Sequence, residues 1–161
     1  MTDQITPPED LGISPESAKL SDAVQAFYLY WREKRQGAMP AKADLSIADM
    51  APYLPNLVFV EPRFDPEDFR FRLIGTEVVR KSRKDRTGQC FGDNPNMDRT
   101  SQFWRRYAWV RDNQQPLFSK VEYVGTDKAV RNVEDLILPL RATKHQPMSI
   151  VTFVNYIGFA S

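Results

Sequence analysis

Few side chains in this sequence could carry out a reaction, and their spacing limits what that reaction could be. The chain holds one cysteine, Cys90, and one histidine, His145. A Cys–His or Ser–His–Asp arrangement needs a base held beside its nucleophile, yet His145 falls in the polar turn "ATKHQP" at 142–147. One cysteine cannot close an intramolecular disulfide, and one cysteine with one histidine are too few soft ligands for an ordinary zinc site. Neither a GxGxxG turn nor a P-loop is present to cradle phosphate. Two features remain. "RKSRKDR" at 80–86 gathers Arg80, Lys81, Arg83, Lys84 and Arg86, with Arg105, Arg106 and Arg111 further along. Such a run suits either an anionic partner or a solvated helix end, because cations are favoured at a helix C-terminus. In "VRNVEDLILPL", Glu134 shares strand parity with Asn132, Leu136 and Leu138. A carboxylate facing an apolar cavity would orient a ligand or act as a base. At a strand's exposed start it would simply be solvated.

The elements that position these groups follow from periodicity. With 161 residues, 42% hydrophobic and 27% charged, the chain has enough material for one domain with a real core. Its net charge of +1 gives no polycationic field, and no nucleic-acid motif accompanies the basic run, so nucleic acid is not expected as a partner. The N-terminus lacks a basic segment followed by an apolar core, and no apolar run approaches the roughly 20 residues of a membrane-spanning helix. The chain reads as cytoplasmic. Residues 1–20 carry Pro7, Pro8 and Pro15 and few large apolar side chains, which predicts a flexible tail ahead of a domain over 21–161.

Ser21 is placed to cap a helix over 21–36, with Val24, Phe27, Tyr28 and Trp31 at i, i+3, i+4 and i+7 and a stop at Gly37 and Pro40. That aromatic stripe must cover something. "ADLSIADMAPYLPN" predicts a short, proline-broken helix before "LVFVEP", a first strand. "FDPED" is turn chemistry, and "FRFRLI" returns as a second strand in which Phe69, Phe71 and Leu73 share the buried face. Gly75 then breaks the strand, and Thr76 offers a hydroxyl cap to a helix over 76–84. A second central helix is expected over 95–113, opened by Pro95, with Phe103, Tyr107 and Val110 on one face and Trp104 beside them. Strands follow at 117–124, 130–140 and 148–158. In "VEDLILPL" both faces are apolar, which predicts a sheet covered on both sides.

The order helix, two strands, helices, three strands resembles a PAS domain, and more narrowly the short stand-alone bacterial PAS proteins that carry no output domain. The resemblance rests on "YWREKRQGAMPAKADLSIADMAPYLPNLVFVE" at 30–61, "FRFRLIGTEVV" at 69–79, "DRTGQCF" at 85–91 and "VEDLILPL" at 133–140. It implies an α+β fold: a five-stranded antiparallel sheet with helices over one face enclosing a small cavity. The aromatic helix covers the other face. It also implies a sensing or interaction module that works through conformation or assembly, as a homodimer and with a signalling protein as partner. Flavin photosensors of this kind place a cysteine in Gly-x-Asn-Cys-Arg-Phe-Leu-Gln, whereas this chain reads "TGQCFGDN". Cys90 is therefore expected to be a small, semi-buried side chain. Haem-binding relatives ligate iron from a helix facing the cavity, where His145 does not lie. The residues name no cofactor.

Parity and helical spacing assemble a candidate ligand site from Phe71, Phe103, Tyr107, Tyr123, Glu134 and Leu136, suited to a small apolar or aromatic molecule. Catalysis is not expected. Two alternatives remain open. One is a cone-like α+β enzyme or carrier using a pocket carboxylate, although that architecture sets its long helices before most of the sheet. The other is a structural partner-binding module whose cavity is filled by its own aromatic side chains.

Overall fold

The computed structural model describes residues 5–35 and 38–159. Strands β1 (Leu57–Phe64) and β2 (Glu67–Ile74) form a hairpin, and β3 (Leu117–Glu122), β4 (Val130–Leu140) and β5 (Ser149–Gly158) form a meander. All pair antiparallel, and β5 returns to lie beside β1, which gives the order β2-β1-β5-β4-β3. The sheet is the five-stranded antiparallel one implied by the resemblance, with helices on its faces.

Helix α1 (Asp22–Glu33) lays Val24, Phe27, Tyr28 and Trp31 on one face of the sheet, against Leu136, Leu138 and Phe153. The Phe27 and Phe153 rings stack at 5.6 Å, and Trp31 Nε1 donates to the Pro139 carbonyl at 3.1 Å. The amphipathic stripe thus has its partner within the same chain. The predicted stop at Gly37 lies outside the described residues. Short helix α2 (Ile47–Met50) adds Met50 to the same core.

The opposite face is covered by α3 (Thr76–Ser82), α4 (Gln102–Asn113) and the segment around Phe91. Phe91 is fully buried at the centre of an aromatic cluster, 5.1 Å from Phe69, 4.9 Å from Phe103 and 5.1 Å from Tyr107. Such tilted and edge-on packings suit ring quadrupoles.

Three expectations change. Leu73 is exposed although Phe69 and Phe71 are buried. Phe59 pairs with Leu73 while Val60 pairs with Phe71, so Arg72 is the extra residue of a β-bulge. One inserted residue reverses the facing of all that follow, and Ile74 takes the inner place. At the start of α3 the cap position belongs to Gly75, and Thr76 is already helical. Glycine is required there by proximity: a Cβ would stand 2.3 Å from the carbonyl oxygens of Leu54 and Pro55. Helix α4 begins at Gln102, so Pro95 lies outside it. Ser101 is the true cap, its Oγ accepting from Trp104 N at 3.0 Å, while Asp98 collects the amide and hydroxyl of Thr100. Replacing Ser101 with alanine should lower stability by about 1 kcal/mol, read as a shift in urea midpoint with unchanged slope.

Residues 5–20 also depart from the expected tail. Leu11 is buried, and Ile13 pairs with Phe118 on the outer edge of β3 through bonds of 2.9 and 2.8 Å. The β2 edge is met by residues 88–90, with Phe71 N donating to Gln89 O at 2.9 Å and Gly88 N to Phe71 O at 2.8 Å. An open sheet edge presents unpaired backbone groups, and a nearby extended segment satisfies them whatever its own composition.

Candidate functional site

Between the sheet and helices α3 and α4 lies a cavity of about 320 Å³. Phe71 reaches it from β2, Phe103 and Tyr107 from α4, and Tyr123 from the end of β3. Val58, Val133 and Val154 supply aliphatic wall from β1, β4 and β5. The ring contacts among Phe71, Phe91, Phe103 and Tyr107 fill one side of this layer, and open volume remains beside them.

The other two candidate residues lie elsewhere. Glu134 and Leu136 face α1, on the far side of the sheet. Leu136 is core beneath α1. Glu134 is 3% exposed, and its Oε1 accepts from Ser21 Oγ at 2.8 Å and Asn155 Nδ2 at 2.9 Å. Ser21 thus spends its hydroxyl on the sheet instead of on its own helix. Glu134 fastens the start of α1 to β4 and β5. It neither sits at the cavity nor lies solvated.

The half-buried carboxylate of the cavity wall is its neighbour, Asp135, while Glu122, exposed at the end of β3, also lines the cavity. On β4 the inward residues are Val133, Asp135 and Ile137. Asp135 stands between Ser119 of β3 and Val154 of β5 and is half-buried, its side chain lining the cavity. Loss of water pushes its carboxyl up to about 6, against a smaller lowering by the Arg106 guanidinium. Sequence reading passed over it because adjacent strand residues always face opposite ways, and the choice of face went to Glu134. The available signal was the "ED" pair itself, which must leave one carboxylate on each side.

The remaining polar groups of the cavity are largely satisfied. Tyr107 Oη and Thr152 Oγ1 share a 2.7 Å hydrogen bond. Burial raises the phenols of Tyr107 and Tyr156 well above the ordinary range, so both stay neutral at any physiological pH. Tyr123 and Tyr156 meet edge to face at 6.2 Å near the mouth. The turn after β3 folds back over Tyr123, and Gly125 permits this, since a Cβ there would lie 2.2 Å from the phenolic oxygen.

Lys81, Lys84 and Arg86 from the basic run reach the cavity rim. Lys81 pairs with Asp127 and, at 3.7 Å, with Glu77. Arg80 is held by Glu77 at 2.6 Å, and Arg86 Nε donates to Asn94 Oδ1 at 3.1 Å. Cys90 is half-buried and does not line the cavity, and His145 is exposed in its turn. Among the described residues no cluster of three or more His, Cys, Asp or Glu could hold a metal ion, and no helix is long and apolar enough to cross a membrane.

Against models of known families, residues 20–154 match the one described as PAS domain. Comparison with curated proteins and with solved structures found no match.

Proposed function

Because the chain belongs to the PAS domain family, a family of sensing and regulatory modules, we propose that it is a sensor of a small, mainly apolar or aromatic molecule held between the sheet and helices α3 and α4. One observation carries this reading: the aromatic layer of Phe71, Phe103, Tyr107 and Tyr123 leaves a 320 Å³ cavity, at the lower end of the range for small-molecule sites. Occupancy acts by favouring one conformation or assembly over another. The elements placed to respond are α3 and the turn after β3, which meet at the mouth through Lys81 and Asp127. The output is contact with a signalling protein or a second copy of the chain. PAS domains are typically sensors rather than enzymes, and the cavity chemistry accords with binding: Asp135 faces neutral phenols there, not a titratable partner within hydrogen-bond reach.

Native mass spectrometry of protein purified from its own host tests the proposal, with Val133→Phe as the filled-cavity control. The wild type should retain a small molecule that the variant loses, and adding that molecule back should raise the melting temperature of the wild type alone. Identical masses at the bare chain value, with no ligand-dependent stabilisation, would refute it.

A further inference from the structure

We propose that Asp135 is the anchor of the cavity and selects ligands whose apolar or aromatic body ends in a protonated amine. This deepens the sensor reading and rests on it. The two adjacent carboxylates of β4 make the case by contrast. Glu134 is met by two donors. The side chain of Asp135, equally central in the strand, has neither a hydrogen bond nor an ion pair among the described residues. Yet it lines a cavity whose walls are mainly apolar and whose other charged lining groups are Lys81, Lys84, Arg86 and Glu122. Even a half-buried carboxylate in a mainly apolar wall is costly without donors, so such groups are normally supplied with them.

No neighbouring group takes that role in the structure: Ser119, opposite Asp135 on β3, is buried with its Oγ making no hydrogen bond, and Lys84 lines the cavity without pairing with Asp135. Arg106 influences the carboxylate through space, but its Nε donates to the Leu11 carbonyl at 2.9 Å and it forms no ion pair with Asp135. Tyr107 Oη and Thr152 Oγ1 share one hydrogen bond with each other, and neither bonds Asp135. Lys81 is engaged by Asp127 and Glu77 at the rim, and Arg86 by Asn94. The acceptor capacity of Asp135 is therefore unused in the structure, and the residue lines the open volume. Phe71, Phe103, Tyr123 and Tyr156 add ring faces and edges that suit both an aromatic body and a nearby cation. A ligand carboxylate in the same place would set two like charges together.

Two matched series of probes test this by calorimetry and thermal shift: tryptamine, 3-propylindole and indole-3-propionate, then 2-phenylethylamine, propylbenzene and 3-phenylpropionate. Wild type should bind at least one amine tenfold or more tighter than its neutral counterpart and reject the acid. Asp135→Asn should erase the amine preference while binding the neutral member within about twofold of wild type, which also shows that the variant is folded. Lowering the pH from 7.5 to 5 should weaken amine binding to wild type and not to Asp135→Asn. Around the cavity the phenols of Tyr107 and Tyr156, raised by burial, stay neutral over that interval, and Glu77 and Asp127 are held low by their arginine and lysine partners. Lys81, Lys84, Arg86 and Glu122 also line the cavity and are common to wild type and Asp135→Asn, so the comparison between the two isolates Asp135. Neutral probes binding as well as amines, or acids binding best, would overturn the anchor and leave the cavity reading intact. Silence from all six probes in both wild type and Val133→Phe would overturn both.

Discussion

Removal of residues 1–36 should leave a chain that aggregates, and the single change Trp31→Ala should lower stability by about 3–5 kcal/mol. Trp31 is 2% exposed, stacks on Tyr28 and donates to the Pro139 carbonyl, so alanine there loses area, ring contacts and the satisfaction of a buried acceptor. With domains of this kind stable by only about 5–15 kcal/mol, that single loss is a large share. Deletion goes further. It uncovers Leu136, Leu138, Leu140, Val151 and Phe153 together, and frees the β3 edge by removing Ile13. An apolar sheet face beside an unpaired strand is a template for association. Light scattering and the urea midpoint of the purified proteins decide the matter. A truncated chain that stays dispersed, with the melting temperature of the full protein, would show that α1 is not part of the fold's core.

Asp135→Asn should stabilise the unliganded protein by about 2 kcal/mol at pH 7.5, an effect that disappears near pH 4. The sign follows from the direction of the shift. The folded-state carboxyl is raised to about 6 by its dry surroundings, whereas an unfolded aspartate titrates near 3.9. Between those values the folded chain holds this proton more tightly. The contribution of Asp135 to stability, read as wild type relative to Asp135→Asn, therefore falls as pH rises from about 4 to about 6 and then levels off. Each unit is worth about 1.4 kcal/mol, and partial solvent access through the cavity reduces the total. Asparagine keeps the shape and removes the slope. Urea midpoints at half-unit intervals from pH 4 to 8 measure the difference. Wild-type stability that rises relative to the variant over that interval would mean that Asp135 is paired in the folded state. A residue that destabilises the empty fold, kept at the wall of its cavity, is what a binding function would retain.

What the sequence determined by itself was local and periodic. Val24, Phe27, Tyr28 and Trp31 recur at helical spacing, so a helix with one apolar face follows from the side chains alone. Phe69 and Phe71 alternate with arginines, and Leu136 to Leu140 show no polar face, so a hairpin strand and a strand covered on both sides were legible before any coordinates. The order of these elements was enough to indicate the PAS architecture. Tertiary structure decided whatever depends on which pieces meet. The bulge at Arg72 turns Leu73 outward through strand pairing that alternation in one strand does not encode. Residues 5–20 look unstructured by composition, yet the β3 edge offers backbone partners that composition cannot reveal. Strand parity requires Glu134 and Asp135 to face opposite ways, but α1 docks on the Glu134 side and α4 on the other, leaving Asp135 at the cavity. That choice, and the cavity itself, arise from side-chain volumes meeting across long sequence separations, where no short stretch of the chain carries the information.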